Sequence, residues 1–440
     1  MPRSPRRAPS LRRGASIALA VAALVAACTT ARRRVVPTTI SSGGDIERPV
    51  SPDARDASER TVRILLASKQ ASVQLTADGG WRMYASDGTT LLALPQPNER
   101  WILEQEGRLV SARREDSRAV PLRESPIVVR PLDAWGTIGF NGRRWRGELL
   151  VGVDDGGLIV VNRVRMDDYL RGVVPLEIGT AASADAAAVQ AQVITARSYA
   201  VTRLGDGRRA YDMTATTQDQ VYGGASVETP IANASIEATR GLVLLYGGRV
   251  VNAPYHANCG GTTAAPQDSW RASAEPFLQR VSDQIPGSTR YYCDQAPRFR
   301  WTRTIGEGEL REAVARYVRT LPGGAGGIGA VTNVAVTAVT PAGRVGTLTV
   351  DTDRGRWSLR GGEIRSALRS PAGELLFSTY FSVDVVQGRG GVRSLILKGG
   401  GNGHGVGMCQ SGAIGRARAG QDFRTILRTY YPGTTVGTIQ

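Results

Sequence analysis

The chain has 440 residues, of which 41% are hydrophobic and 21% charged, and its formal net charge is +16. A chain of this length and composition folds as one large or two medium globular domains with packed cores. The basic residues are spread along the chain, and no helix-turn-helix, zinc-finger or aromatic RNA-binding signature accompanies them. The charge therefore indicates a solvated basic surface and argues against nucleic acid as a partner.

The N-terminus has the parts of a bacterial export signal. Residues 1–15 are basic and polar, residues 16–27 are small and apolar, and Cys28 follows directly. The apolar run is shorter than the about 20 residues that span a bilayer, so residues 1–27 predict a signal peptide. The sequence ending in Cys28 resembles a lipobox, which implies an acylated cysteine, although an ordinary signal peptide with an incidental cysteine is the alternative. Residues 28–61, rich in Arg, Ser, Pro and Asp, predict a flexible tether.

A lipobox implies where the protein works. The acyl chains would anchor an exported lipoprotein to a lipid membrane of the cell envelope, on its periplasmic side. Thr29 rather than Asp follows Cys28, which favours the outer membrane in a two-membrane bacterium.

Residues 62–165 predict a β-rich subdomain. Short apolar or alternating runs are separated by Asp-Gly and Asn-Gly turns, a pattern typical of antiparallel strands. The predicted strands include residues 62–66, 71–75, 127–129, 135–140, 147–153 and 158–164.

Residues 166–440 predict a core in which helices and strands mix. The Ala-rich segment after Ser183 has apolar residues on most sides and predicts a buried helix. A short helix is predicted to begin with residues 167–170, and further helices are predicted at residues 184–204, 230–239, 307–321, 362–368, 410–419 and 423–431. A hairpin is predicted over residues 241–250, and strands at 331–339, 345–351, 381–387 and 392–397. The predicted fold class is α+β, with a substrate groove in this mixed core.

Three cysteines and two histidines lie in the predicted core. Cys259, Cys293 and Cys409 follow the signal segment, and His256 and His404 are the histidines of the chain. In an exported protein Cys259 and Cys293 are the natural disulfide pair. A zinc site that includes His256 and Cys259 is the alternative, and free thiols are a third. No other cofactor is predicted.

Four stretches in the predicted core carry further motifs. They are MDDYLRGVVPLE (166–177) with AQVITARSY (191–199), TTQDQVYGG (216–224), YHANCGG (255–261) with Trp270, and GHGVGMCQSGA (403–413) with YYPG (430–433). In this order they resemble the motifs of the stage II sporulation protein D family, also called amidase-enhancer domains. The resemblance covers about residues 62–440.

The resemblance implies a peptidoglycan lytic transglycosylase. Such an enzyme cleaves between N-acetylmuramic acid and N-acetylglucosamine and leaves a 1,6-anhydro-muramic end. The family's catalytic Glu carries over to Glu177, and its other motif residues to Arg197, Tyr255 and His256. Two positions depart from the family. Gly179 follows Ile178 where the family more often has Met-Pro and an aromatic residue, and Cys409 replaces a frequent Ser.

One carboxyl group is sufficient for this reaction, because it gives a proton to the leaving oxygen and then takes one from the sugar's own 6-hydroxyl. The apolar residues 173–176 predict a desolvated Glu177 with a raised pKa. Arg197 would orient Glu177 or bind the lactyl carboxylate, unless it forms an internal salt bridge.

Four further residues are candidates for substrate contact. Gln220 and Tyr222 are suited to sugar hydroxyls and sugar rings, unless Tyr222 packs in the core. His404 would contact substrate or serve as a structural hydrogen-bonding group, and Tyr431 belongs to the last motif. A non-catalytic protein that binds glycan strands and stimulates a partner amidase is the competing hypothesis.

Overall fold

The computed structural model describes residues 57, 59–117, 122–180, 182–205, 207–270, 272–324 and 326–439. The predicted signal peptide, Cys28 and nearly all of the predicted tether lie outside these residues. No helix in the described part of the chain is long and apolar enough to cross a membrane. The predicted α+β class is confirmed.

Residues 61–165 of the described chain are mostly β-structure. Alternation of buried and exposed side chains marks its strands, as in β1, where Val62 and Ile64 are buried. The strands are β1 (Thr61–Gln70), β2 (Ser72–Thr76), β3 (Trp81–Tyr84), β4 (Leu91–Ala93), β5 (Trp101–Glu106), β6 (Leu109–Arg114), β7 (Leu122–Glu124), β8 (Ile127–Pro131), β9 (Ile138–Phe140), β10 (Arg143–Trp145), β11 (Glu148–Asp154) and β12 (Gly157–Arg165).

These strands form two sheets that enclose one core. A seven-stranded sheet has the order β13-β1-β12-β11-β8-β3-β4, where β13 (Met213–Thr214) pairs in parallel with β1. A six-stranded sheet has the order β10-β9-β2-β5-β6-β7. Trp81 of the first sheet and Leu103 of the second are fully buried in the same hydrophobic cluster. The region predicted to be β-rich is therefore a two-layer β-structure.

Helices follow the β-structure without a break in the core. They are α1 (Met166–Ile178), α2 (Ala186–Val201), α3 (Pro230–Ala238) and α4 (Pro266–Ser269), with short 3-10 turns at Ser183–Asp185 and Gly224–Val227. Tyr169 of α1 and Ile194 of α2 belong to the same cluster as the sheet residues. The predicted boundary at residue 165 falls where β12 meets α1, and one core extends across it.

Short strands connect distant parts of the chain near the helices. They are β14 (Val243–Tyr246), β15 (Arg249–Val250), β16 (Tyr255–His256), β23 (Met408–Cys409) and β24 (Thr435–Gly437). β16 pairs in parallel with β23, so that His256 lies opposite Cys409. This pairing joins two of the sequence motifs. The chain ends with α7 (Gln410–Arg418) and α8 (Phe423–Tyr430).

The segment between the third and fourth motifs has a second core of its own. Its elements are β17 (Trp301–Gly306), α5 (Glu307–Val318), β18 (Val331–Val339), β19 (Val345–Thr352), β20 (Gly355–Arg360), α6 (Gly362–Ala367), β21 (Phe381–Gly388) and β22 (Gly391–Gly399). They form the sheets β17-β22-β21 and β18-β19-β20 around buried residues such as Leu348 and Leu395. Trp301, at its start, pairs with Gly399, at its end.

Candidate active site

Glu177 lies in the last turn of α1, which includes Pro175. The helix ends at Gly179, whose φ of 62° is left-handed. Val173 and Val174 face the core, whereas Leu176 is 41% exposed. Val173 and Val174 precede Glu177 by one helical turn and so lie on its side of the helix, in keeping with the predicted desolvation of its carboxyl.

The Glu177 carboxyl is half-buried and hydrogen-bonded. The backbone N–H of Val221 donates to its Oε1 at 2.8 Å, and the Tyr255 hydroxyl also hydrogen-bonds to it. Burial raises the pKa of Glu177, and these two hydrogen bonds oppose the rise. A negative charge at the C-terminal end of a helix is also disfavoured by the helix dipole. The carboxyl thus retains its proton to a higher pH than an exposed Glu.

The carboxyl opens into a groove of about 620 Å³. Aromatic rings form much of its wall, and the ring centres of Tyr199 and Tyr255 are 6.4 Å apart. Trp270 is 36% exposed and packs against His404 with ring centres 4.9 Å apart. Flat aromatic faces of this kind suit sugar rings. The lining residues are Glu177, Tyr199, Arg203, Thr217, Gln218, Asp219, Val221, Asn252, Pro254, Tyr255, His256, Trp270, Gly403 and His404.

Gln220 acts behind the groove wall rather than in it. Its side chain is fully buried, accepts from the Tyr169 hydroxyl at 3.1 Å and donates to the Tyr255 hydroxyl at 2.9 Å. Because the Tyr255 oxygen accepts from Gln220, the tyrosine's own proton is directed to Glu177. Gln220, predicted as a residue of the groove, therefore lies behind the wall and positions Tyr255.

His404 fixes the backbone beside Glu177. Its Nδ1 accepts from the Val406 N–H at 3.1 Å, and the ring also hydrogen-bonds to the backbone of Tyr255. Burial, with the charges of Arg365 and Arg344, lowers the pKa of His404 to about 3. The ring is therefore neutral at neutral pH and connects the last motif to Tyr255.

His256 is a nearly buried part of the same wall. Its Nδ1 lies 3.2 Å from the Val406 carbonyl oxygen, and its ring centre is 5.5 Å from that of His404. Burial lowers the pKa of His256 to about 4. Val406 thus hydrogen-bonds to both imidazoles. Both rings are uncharged at neutral pH, so neither can donate a proton as an imidazolium ion.

Three predicted site residues lie away from the groove. Arg197 is fully buried and does not contact Glu177. Its guanidinium donates to Asp167 at 3.0 Å and to the carbonyl oxygens of Thr239 and Leu242 at 2.8 and 3.0 Å. The internal salt bridge, which was the alternative for Arg197, is therefore what the structure contains.

Two of the tyrosines predicted for the site, Tyr222 and Tyr431, are core residues. The Tyr222 hydroxyl donates to Asn162 Oδ1 at 2.7 Å, and its ring packs 5.0 Å from that of Tyr169. The Tyr431 hydroxyl donates to the Pro254 carbonyl at 2.6 Å. Both side chains are almost completely buried, because their hydroxyl groups find partners inside the protein.

The groove also contains two charged residues that were not predicted as site residues, Arg203 and Asp219. Arg203 donates to Asn252 Oδ1 at 3.0 Å, lies 3.7 Å from Asp219 and stacks its guanidinium over the Tyr199 ring at 3.2 Å. It follows α2 by two residues, one turn beyond Tyr199 of the motif. That spacing is the signal in the sequence that places it beside the groove.

The three cysteines of the described chain are buried and unbonded. The sulfur atoms of Cys259 and Cys293 are 3.5 Å apart, so the predicted disulfide is not formed in this structure. Together with Cys409 and Asp283 they form a compact group of four possible metal ligands. His256, predicted as a zinc ligand with Cys259, is not part of this group.

Comparison with known proteins agrees with the motifs. The family model described as Stage II sporulation protein matches residues 154–246, and a domain of unknown function, DUF8618, matches residues 285–407. An uncharacterized protein of Brachyspira hyodysenteriae is 26% identical over 86% of this chain and 94% of its own length.

Two relatives from Bacillus subtilis carry functional names. The Amidase enhancer is 27% identical over 61% of this chain, which spans 40% of that longer protein. Stage II sporulation protein D is 26% identical over 63% of this chain and 75% of its own length. The family match at residues 154–246 includes the helix that carries Glu177 and the loop that holds its partner Val221. The similarity that the motifs indicate, to the stage II sporulation protein D and amidase-enhancer family, is therefore supported by a family match over residues 154–246 and by these named relatives.

Proposed function

We propose that this protein is a peptidoglycan lytic transglycosylase that uses Glu177 as both acid and base. The observation that carries the proposal is a half-buried carboxyl of raised pKa, open to a groove with aromatic walls. The proposal places the protein at the cell wall, outside the cytoplasm, in keeping with the names of its relatives. An acyl anchor at Cys28 would hold it there.

The chemistry uses one proton and no water. Protonated Glu177 gives its proton to the bridging oxygen as the bond from the muramic anomeric carbon to that oxygen breaks. The 6-hydroxyl oxygen of the same sugar then bonds to the anomeric carbon, and its proton returns to Glu177. Between the two steps the carboxylate is stabilised by the Val221 N–H and the Tyr255 hydroxyl.

A second carboxylate would be needed by an ordinary glycosidase. Asp219 is the other acidic residue among the described groove-lining residues. Its Oδ2 accepts from the Thr214 backbone N–H at 2.9 Å and from the Thr214 hydroxyl at 3.0 Å, and its Oδ1 faces Arg203. These partners occupy Asp219, which favours the mechanism with one carboxyl group.

Mass spectrometry of the reaction products tests the proposal. Full-length protein is incubated with peptide-free glycan strands, and 1,6-anhydro-muramic ends are expected. Reducing ends would instead indicate hydrolysis, and the Asp219→Asn variant would then show whether Asp219 supplies the base. Glycan strands with neither new 1,6-anhydro ends nor new reducing ends would contradict cleavage by this protein.

Arg203 is the cationic group best placed to bind the lactyl carboxylate in this proposal. We expect Arg203→Ala to raise KM for glycan strands by about 10- to 150-fold, because one charge-assisted hydrogen bond contributes about 1.5–3 kcal/mol, with little effect on kcat. Arg209→Ala, outside the groove lining, serves as the control. A fall in kcat at unchanged KM would contradict this role.

Tyr255→Phe changes the pH dependence. Activity should require protonated Glu177 and fall as the pH rises through the raised pKa of that group. The Tyr255 hydroxyl favours the charged carboxylate, so its removal raises the pKa further. We expect the falling limb of kcat/KM to move to higher pH in Tyr255→Phe. A limb that moves to lower pH would show that Glu177 is not the titrating acid.

An amidase-stimulating binder is the second candidate, favoured by the name of the Amidase enhancer relative. In that case the groove would hold glycan strands without cutting them. Three results together would support the binder over the enzyme. Wild type and Glu177→Gln would bind glycan strands equally, neither would release a product, and an added amidase would form its product faster in their presence.

A further inference from the structure

The four potential ligands behind β16 and β23 form a buried cluster: Cys259, Asp283, Cys293 and Cys409. Their ligand atoms all lie within 4.8 Å of one another, and each residue is at most 1% exposed. We propose that this cluster binds a structural zinc ion through three thiolates and one carboxylate oxygen. The site goes beyond the glycan chemistry, since none of the four residues lines the groove.

The distances suit a tetrahedral zinc ion. Zinc binds thiolate sulfur at about 2.3 Å and carboxylate oxygen at about 2.0–2.2 Å, so a tetrahedron has S–S edges of about 3.8 Å and S–O edges of about 3.5 Å. The Cys259 and Cys293 sulfurs are 3.5 Å apart, and Cys259 Sγ is 3.5 Å from Asp283 Oδ2. Small movements of the side chains would place all four on one ion.

Backbone N–H groups point at the sulfurs. Cys409 Sγ accepts from the N–H of Cys259 at 3.2 Å and from that of Gly412 at 3.3 Å. Cys259 Sγ accepts from the Gly261 N–H at 3.3 Å. Donors aimed at sulfur stabilise the thiolate, which is the form that binds metal. Cys409 also caps the N-terminus of α7, where the helix dipole favours negative charge.

Asp283 is oriented as a metal ligand. Its Oδ1 accepts from the Tyr430 hydroxyl at 2.7 Å and from Arg416 at 3.0 Å, which leaves Oδ2 directed toward Cys259. A Cβ at Gly412 would lie 2.0 Å from this Oδ2. A glycine there allows the carboxylate to reach the cluster.

Charge balance also favours a divalent cation. Three thiolates and one carboxylate carry four negative charges, and two buried guanidinium groups lie beside them. Arg416 pairs with Asp283, and Arg344 donates to the Cys259 carbonyl at 3.1 Å. Zinc supplies the two remaining positive charges, so the buried group as a whole would be neutral, which avoids the high cost of an uncompensated buried charge.

The proposed ion would hold the groove wall together. Cys259 follows β16, which carries Tyr255, while Cys409 ends β23 and begins α7. Asp283 and Cys293 lie in the irregular segment between α4 and β17. The ion would therefore fix the strand that presents Tyr255 to Glu177, in a structural role that needs no open coordination position.

Metal analysis of the purified full-length chain tests the proposal. Inductively coupled plasma mass spectrometry should find about one zinc per chain, and protein exchanged into Co²⁺ should show thiolate-to-cobalt absorption, as expected for a tetrahedral Cys₃Asp site. Cys293→Ser and Asp283→Asn should each lower the zinc content, whereas His256→Ala, in which all four ligands remain, should retain it.

Two results would overturn the site. The first is wild-type protein that binds neither zinc nor Co²⁺ under reducing conditions, with Cys259 and Cys293 joined as a disulfide in the protein as isolated. The second is Co²⁺ protein without thiolate absorption. Both measurements on the wild type are independent of whether a variant folds and of glycan cleavage, so failure of the metal site is separate from failure of the proposed enzyme.

Discussion

If Glu177 is the acid and base of the proposed reaction, we expect its replacement by glutamine to lower kcat/KM for cleavage of peptide-free glycan strands by about 10²–10⁴-fold, the usual contribution of a general acid or base. The amide is similar in shape and still accepts the Val221 N–H, but it neither donates nor accepts the catalytic proton. The measurement is the rate at which 1,6-anhydro ends appear. Glu237→Gln is the matched control, because Glu237 lies on α3 in an exposed pair with Arg240, and it should retain full activity.

The same variant has an expected stability signature. Burial raises the pKa of Glu177 in the folded protein above its unfolded value, so the stability it contributes is present in acid and lost as the pH rises through the folded pKa. Glutamine has no charge to bury. Glu177→Gln should therefore melt at the same or a higher temperature than wild type at neutral pH, and lose that advantage in acid. A much lower melting temperature of Glu177→Gln at neutral pH would indicate that the variant loses activity because it misfolds.

Arg197→Ala destabilises the protein by about 3–5 kcal/mol, the cost of breaking a buried ion pair from one side. The change leaves the charge of Asp167, which is 6% exposed, without its partner. It also removes the donor to the Thr239 and Leu242 carbonyls and leaves a cavity. Chemical denaturation measures the free energy of unfolding.

A double variant separates this structural role from a catalytic one. Arg197→Met combined with Asp167→Leu removes both charges, so it should recover much of the lost stability and keep glycan cleavage. Stability unchanged in Arg197→Ala, together with a large fall in kcat, would instead place Arg197 in the reaction.

Local patterns predicted most elements, because side-chain periodicity reports which face of a strand or helix is buried. The prediction of β18 at residues 331–339 matches the structure, and α3 differs from its prediction by one residue at its end. The helix predicted to begin with residues 167–170 runs from Met166 to Ile178 and includes Pro175. A proline normally argues for a helix end, so the sequence pattern did not show that this helix continues to Glu177.

The site was predicted only where a motif identified it. Glu177, Tyr255, His256 and His404 all line the groove, whereas Arg197 and Tyr222 are core residues. Some motif residues stabilise the fold and others take part in the reaction, and a sequence does not distinguish the two roles. Asp283 lies in no motif, and only the folded chain brings it beside Cys259, so spacing arguments based on cysteine and histidine alone missed it.

The pairing of Trp301 with Gly399 has a consequence for how the protein tolerates change. The segment between them has its own core, yet it leaves and rejoins the rest of the chain at adjacent points. This arrangement resembles that of an inserted domain, and a segment whose ends lie together can change in length while the rest of the fold remains. Its hydrogen bonds to the rest of the chain include those from Arg344 to the Cys259 carbonyl and from the Gly403 N–H to the Phe377 carbonyl, so we expect changes at these contacts to disturb the surrounding fold more than changes elsewhere in the segment.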